Sequence, residues 1–145
     1  MPPTGSRRFT WLALAGLALL SASFWADCLL GANAPLAAEF LAAMEPWRSE
    51  TTLPPPRYQW DPLQWDGVAQ FYPWRLFVAR SLRRGEMPLW NPHQFCGYPL
   101  LANGQSAVFY PPNWLLALVD VRWGLGLLAA LHYFLAGSLT YLFAR

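Results

Sequence analysis

Two long apolar segments constrain the fold of this chain more than any other feature. The first covers residues 9–30, "FTWLALAGLALLSASFWADCLL", and the second covers residues 123–143, "WGLGLLAALHYFLAGSLTYLF". Each contains the roughly 20 residues that a helix needs to cross about 30 Å of hydrocarbon. Small residues such as Gly16, Gly126 and Gly137 let such helices approach closely. The sequence therefore predicts an all-α membrane protein with two transmembrane helices, joined by the long loop 31–122.

The composition agrees with a membrane location. The 145 residues are 55% hydrophobic and only 12% charged, and they include nine tryptophans, a residue enriched at lipid–water boundaries. The net charge of +2 is too small to indicate a nucleic-acid partner. Cys28 and Cys96 match no metal-site spacing and are predicted to be free thiols, with a disulfide formed in an oxidising compartment as the alternative.

Arginines determine the predicted orientation. Arg7 and Arg8 precede the first segment and Arg145 follows the second, and basic residues beside spans stay in the cytoplasm. Residues 1–8 and 144–145 are therefore predicted to be cytoplasmic and the loop extracytoplasmic. A cleavable signal peptide is the rival interpretation of the first segment, because two arginines, an apolar run and "SAS" are also typical of such leaders.

Short amphipathic helices are predicted within the loop. Residues 67–84 carry apolar side chains on one helical face, and Asp66 stands at the predicted N-cap. A second short helix is predicted near residues 113–119. Between them lies "EMPLWNPHQFCGYPLLANGQSAVFYPPNW", residues 86–114, which combines prolines, aromatics and side-chain amides. This segment is too polar for lipid and too aromatic for an ordinary linker.

Several motifs follow one another within residues 61–145: "DGVAQFYPW", a basic helix, "GEMPLWNPHQFCGYPLLANGQSAVFYPPNWLL" and "LHYFLAG…YLFAR". Together they resemble the N-terminal region of bacterial YfhO-type membrane proteins. That family resembles the type C glycosyltransferase superfamily, multi-pass enzymes that take sugars from lipid-phosphate donors outside the membrane. The resemblance implies a protein of the bacterial cytoplasmic (inner) membrane that transfers a sugar from a polyprenyl-phosphate-type donor to an extracytoplasmic glycan or lipid.

The resemblance also implies further membrane spans after Arg145. The chain is therefore expected to be an N-terminal fragment that is inactive alone, with membrane lipid and the remaining transmembrane helices as its partners. The alternative is a non-catalytic membrane module that binds a glycan or a partner protein.

Asp66 is the catalytic residue that the resemblance implies, because the superfamily has a carboxylate in its first outer loop. A sugar transferase needs a general base for the acceptor hydroxyl, and cations or a divalent metal ion can neutralise the phosphate that leaves. The alternative is that Asp66 only caps a helix. Asp61, which precedes a proline, is predicted to be a turn residue.

The aromatic and amide side chains of the loop are candidate sugar-binding groups, because flat rings meet C–H faces and amides pair with hydroxyls. The candidates are Trp90, Asn91, Asn103, Gln105 and Tyr110. The alternative is that the aromatics anchor the loop at the headgroups while the amides satisfy turns. Four arginines are candidates for attracting lipid phosphates: Arg75, Arg80, Arg83 and Arg84. The alternative is that they are an ordinary solvent-exposed end of a helix.

Overall fold

Most of the described residues are helical. The computed structural model describes residues 4–31, 33–50 and 61–145; part of the predicted cytoplasmic N-terminus and part of the loop lie outside them. The α-helices are α1 (Thr4–Phe24), α2 (Ala26–Leu30), α3 (Trp47–Glu50), α4 (Pro62–Asp66), α5 (Tyr72–Arg83) and α6 (Val121–Ala144). The 3₁₀ helices are Ala38–Ala43, Gly104–Ser106 and Pro111–Ala117, and Gly67–Phe71 is a π-helical turn.

The all-α class is confirmed for these residues. They contain no strand, and their isolated β-bridge joins Asn91 to Tyr98. The chain divides into a helix-pair unit, Met1–Ala34 with Arg122–Arg145, and a loop unit, Pro35–Val121.

One helix of the described residues, α6, is long and apolar enough to cross a membrane. Its 24 residues give a length of about 36 Å and include the whole predicted span 123–143. This length and composition favour association with a membrane.

The first predicted span does not form one uninterrupted helix. α1 ends at Phe24, and Trp25 bends the chain, with φ −101° and ψ 16°, before α2 begins. Arg7 and Arg8 lie inside α1, so its apolar part covers residues 9–24, about 24 Å of helix. That is shorter than about 30 Å of hydrocarbon. The transmembrane helix predicted at residues 9–30 therefore stays a prediction.

The helices α1 and α6 pack antiparallel within the helix-pair unit. The Ser21 hydroxyl donates a hydrogen bond of 2.6 Å to the carbonyl of Ala130. The rings of Phe24 and Tyr133 stack with their centroids 5.5 Å apart. A hydroxyl bonded across the helix pair avoids the cost of an unpaired polar group in an apolar setting.

Two of the predicted small-residue contacts lie within the helix-pair unit, one between α6 and α2 and one between α6 and α1. A Cβ atom added to Gly126 would lie 2.5 Å from the Cβ atom of Cys28, so no side chain fits there. A Cβ atom on Gly137 would meet Leu17 at 3.2 Å. Gly16 has nothing within 4 Å of that position. The close approach is therefore confirmed for the two glycines of α6, and for Gly16 it stays a prediction.

The loop unit has its core between α5 and residues 86–114, which we call the aromatic–amide segment. Trp74 and Val78 of α5 pack with Leu100 and Val108 of that segment, and all four are buried. Burial of such side chains stabilises each by about 1.5–3 kcal/mol relative to exposure. Residues 86–114 therefore form a folded layer on α5 and are not a linker.

The helix predicted for residues 67–84 begins earlier than expected, and Asp66 does not cap it. Asp66 has helical angles, φ −58° and ψ −30°, and its side chain makes no capping bond to the backbone. The helical run begins after Asp61, whose carbonyl accepts the N–H groups of Gln64 and Trp65, both at 3.1 Å. Pro62 follows, in the first helical position that proline favours. The N-cap interpretation of Asp66 is therefore wrong.

Candidate functional site

Gln94 fixes the aromatic–amide segment to α5. Pro73 has no N–H group, so it cannot donate to the carbonyl of Ala69 four residues earlier. The side-chain amide of Gln94 donates to that carbonyl at 2.9 Å, and its oxygen accepts the indole N–H of Trp74 at 2.7 Å. Sequence reasoning missed this residue. The available signal was Pro73, since a proline inside a helix leaves a carbonyl that needs another donor.

A tight left-handed turn follows Gln94. Phe95 and Cys96 have φ values of 54° and 59°, and Gly97 has 101°. Positive φ is uncommon for residues other than glycine and often occurs near functional sites. A Cβ atom on Gly97 would lie 2.7 Å from Nε1 of Trp90, so the glycine allows the indole to pack against the turn. Cys96 is exposed and Cys28 is buried, and both are free thiols.

A groove of about 320 Å³ lies between α5 and this segment. Its α5 side presents residues that are three or four apart and so share one helical face. The lining residues are Pro73, Leu76, Phe77, Arg80 and Arg84 of α5, with Asn91, His93 and Gln94 of the segment. The rings of Phe77 and His93 meet edge to face at 5.6 Å. The groove therefore combines an apolar wall with two guanidinium groups and an imidazole.

Two of the four candidate arginines, Arg80 and Arg84, line the groove. The Nε atom of Arg84 is 2.9 Å from a carboxylate oxygen of Glu86, and both side chains are more than half exposed. Such an exposed ion pair contributes little and leaves the arginine available to another anion. Arg80 is exposed and forms no ion pair with any described residue. Arg80 and Arg84 are therefore the two arginines that can contact an anion in the groove.

The other two arginines, Arg75 and Arg83, donate hydrogen bonds to backbone carbonyls of the loop unit. At about 100° per residue, Arg75 lies about 140° around α5 from Arg80. Arg75 donates to the carbonyl of Ser106, and burial lowers the pKa of Arg75 from its ordinary value by removing water from the charged form. Arg83 donates to the carbonyls of Ala117 at 2.8 Å and Leu116 at 3.1 Å. These last two bonds satisfy the end of the 3₁₀ helix Pro111–Ala117.

The candidate amides hold turns in this structure. Asn91 is 2% exposed, and its side-chain oxygen accepts the backbone N–H of His93 at 3.0 Å. The side-chain oxygen of Asn103 accepts the backbone N–H of Gln105 at 3.1 Å, at the start of a 3₁₀ helix. Of these amides, Asn91 alone is part of the groove lining.

The remaining candidates lie outside the groove lining. Trp90 is 55% exposed, Tyr110 is 42% exposed, and the side chain of Gln105 is exposed. Asp66 lies directly before the π-helical turn, and its Oδ1 accepts the side-chain amide of Gln70 at 3.0 Å. The groove therefore does not bring the predicted base together with the predicted sugar-binding residues.

No metal-binding group is identified in residues 4–31, 33–50 and 61–145. No three side chains of His, Cys, Asp or Glu lie close enough together there to hold an ion. A divalent metal ion therefore stays a prediction that follows from the family resemblance.

Comparison with known proteins gives no match to a protein-family model, to a curated protein or to a solved structure. The likeness to YfhO-type proteins therefore depends on its sequence motifs alone.

Proposed function

We propose that this chain is the N-terminal part of an integral membrane glycosyltransferase of the bacterial cytoplasmic membrane. The enzyme takes a sugar from a polyprenyl-phosphate-type donor and transfers it to an extracytoplasmic glycan or lipid. The observation that carries this proposal is the groove, which offers two arginines beside an apolar wall. The motif resemblance and the apolar helix α6 support it.

The groove residues have separate roles in this proposal. Arg80 and Arg84 donate to the phosphate oxygens of the donor, because the planar guanidinium group matches two oxygens at once. Leu76 and Phe77 supply the apolar surface that accompanies them. The imidazole of His93, whose ring meets that of Phe77 at 5.6 Å, donates to or accepts from a sugar hydroxyl in this proposal.

Asp66 is the proposed general base. It lies beside the π-helical turn Gly67–Phe71, and π-helical turns occur frequently at functional sites. Its Oδ1 atom accepts a hydrogen bond from Gln70, which holds the carboxylate in place. The other oxygen can then take the proton of an acceptor hydroxyl. The further spans bring Asp66 and the groove into one active site in this proposal.

The proposed topology has two transmembrane helices, with the loop unit outside the cytoplasm. Cys96 is exposed, so it is a natural probe of this orientation. With Cys28→Ala, which leaves Cys96 as the sole thiol, a membrane-impermeant maleimide should label the chain in intact spheroplasts. Labelling measured by a mass shift on a gel checks this.

The matched control places a lone cysteine on the other side. Arg8→Cys, in a chain that also carries Cys28→Ala and Cys96→Ala, should react only after the membrane is opened, because Arg8 is exposed and predicted to be cytoplasmic. The orientation is wrong if Cys96 labels only in broken membranes.

Arg80→Gln in the full-length form tests the groove. Removing one charged donor should raise the KM for the lipid-phosphate donor about tenfold, because hydrogen bonds to charged groups contribute about 1.5–3 kcal/mol. The value of kcat should change less than about twofold, since a ground-state contact is lost.

Arg48→Gln is the control for this measurement. It removes the same charge from an exposed residue of α3, which is not part of the groove lining. If both variants raise the KM equally, the effect is one of general surface charge and the groove is not the donor site.

The second candidate function is a non-catalytic membrane module that binds a glycan or a partner protein. The exposed aromatic side chains of residues 86–114 favour it, since such groups are enriched at interfaces: Trp90, Phe95, Phe109, Tyr110 and Trp114 are all more than 40% exposed. A full-length form that binds a glycan but transfers no sugar would favour this module over the enzyme.

A further inference from the structure

Besides the groove in the loop unit, a cavity lies in the helix-pair unit, and the proposed sugar transfer gives it no role. This cavity of about 260 Å³ lies between the beginning of α1 and the end of α6, and Arg7, Thr10, Trp11 and Arg145 line it. The guanidinium group of Arg145 donates to the hydroxyl of Thr10. Two arginines from distant parts of the sequence therefore meet at one end of an apolar helix pair.

This end of the unit carries positively charged side chains, and none of the unit's described residues near it is acidic. Arg8 adds a third cation next to Arg7. Among the described residues of the unit, the acidic side chain is that of Asp27. It lies at the opposite end of the pair, because the adjacent Cys28 contacts Gly126 at the beginning of α6. The cavity therefore favours an anion.

The position of the cavity along α6 indicates where such an anion comes from. Arg145 directly follows α6, the helix that is long and apolar enough to cross a membrane. The end of such a helix lies at the level of the lipid headgroups. Trp11 is 71% exposed, and tryptophan is enriched at that level. The anion present there is the phosphate of a phospholipid.

We propose that this cavity binds the phosphate of an anionic phospholipid headgroup. The guanidinium groups of Arg7 and Arg145 donate to the phosphate oxygens in the paired geometry that arginine favours. Trp11 also lines the cavity, and its indole N–H group can serve as a further donor. Basic pockets between transmembrane helices are known to take such headgroups. The site is independent of the sugar-transfer proposal, and a bound lipid joins the two helix ends.

Lipid retention by the full chain tests the proposal. The chain, with a neutral tag after Arg145 that moves the terminal carboxylate away, is purified in detergent with equal amounts of phosphatidylglycerol and phosphatidylcholine. Native mass spectrometry then counts the retained lipids. We expect the unsubstituted protein to prefer phosphatidylglycerol about tenfold, since each arginine at the surface favours anionic lipid. The double variant Arg7→Gln/Arg145→Gln should lose this preference.

Arg8→Gln is the matched control, because Arg8 is exposed and does not line the cavity. It should keep most of the preference. The proposal is overturned if this control loses as much preference as the double variant, or if the double variant keeps all of it. If the double variant does not fold, as judged by circular dichroism, the single variants Arg7→Gln and Arg145→Gln should each lose part of the preference.

Competition with inorganic phosphate distinguishes a phospholipid headgroup from free phosphate as the ligand of the cavity. At millimolar concentration inorganic phosphate should displace little phosphatidylglycerol, because it lacks the acyl chains that hold a lipid beside α1 and α6. Complete displacement at that concentration would identify free phosphate as the ligand and overturn the assignment to a lipid.

Discussion

Asp66→Asn in the full-length protein is expected to lower the rate of sugar transfer by roughly a hundredfold or more, which is the range of general acid–base catalysis. A neutral amide cannot take a proton from the acceptor hydroxyl at neutral pH. The fold should persist, because the amide oxygen of asparagine can still accept the hydrogen bond that Gln70 donates at 3.0 Å. Transfer of radiolabelled sugar from a lipid-phosphate donor in membranes measures the effect.

Asp61→Asn is the matched control for this prediction. It makes the same change five residues earlier, at the residue before α4, where the main-chain carbonyl makes the helical bonds. Transfer by this variant should stay within about threefold of wild type. Equal membrane levels of both variants would exclude an effect on folding. Wild-type transfer by Asp66→Asn would show that the carboxylate is not the base, and the catalytic assignment would be lost.

Gln94→Leu is expected to destabilise the loop unit by about 3 kcal/mol. Leucine has a similar volume but no polar atoms, so the Ala69 carbonyl loses its donor and the Trp74 indole loses its acceptor. Each unsatisfied buried group costs about 1–3 kcal/mol. For a unit of this size the melting temperature should fall by about 10 °C or more. Thermal unfolding of the full chain in detergent, followed by tryptophan fluorescence, measures the change.

Gln105→Leu is the control with the same substitution in the same unit. The side chain of Gln105 is exposed, and it is the backbone N–H group of this residue that donates to the side-chain oxygen of Asn103. Surface changes of this kind usually alter stability by less than about 0.5 kcal/mol. If the two variants melt at the same temperature, Gln94 does not hold the segment on α5.

The sequence predicted the parts of the fold that depend on local patterns. Residues 123–143 lie inside α6 because their apolar run is long enough to dominate any other preference. Residues 67–84 are helical except at the end because the apolar residues repeat at helical spacing. The start of this helix was misplaced, since Asp66 followed by a glycine resembles a cap. The helical run begins after Asp61, at Pro62. The sequence therefore contains two possible N-terminal signals, Asp61-Pro62 and Asp66-Gly67, within seven residues.

The candidate site depended on contacts that local patterns do not contain. The four arginines of α5 look like one basic cluster in the sequence, but helical geometry sends Arg75 and Arg83 to loop carbonyls and leaves Arg80 and Arg84 in the groove. The partner of Ala69 is Gln94, 25 residues away. Nothing in the spacing of those two residues predicts that bond. Pairings of this kind follow from the tertiary fold alone.

The bond between Ser21 and Ala130 has a consequence for the order in which the protein assembles. The two residues are 109 positions apart. At a synthesis rate of about 5–20 residues per second, α1 exists for about 5–20 s before its partner on α6 has been made. The whole loop unit, Pro35–Val121, is synthesised within that interval. Closure of the helix pair, with Gly126 against Cys28, is therefore a late event that follows the synthesis of everything between the two helices.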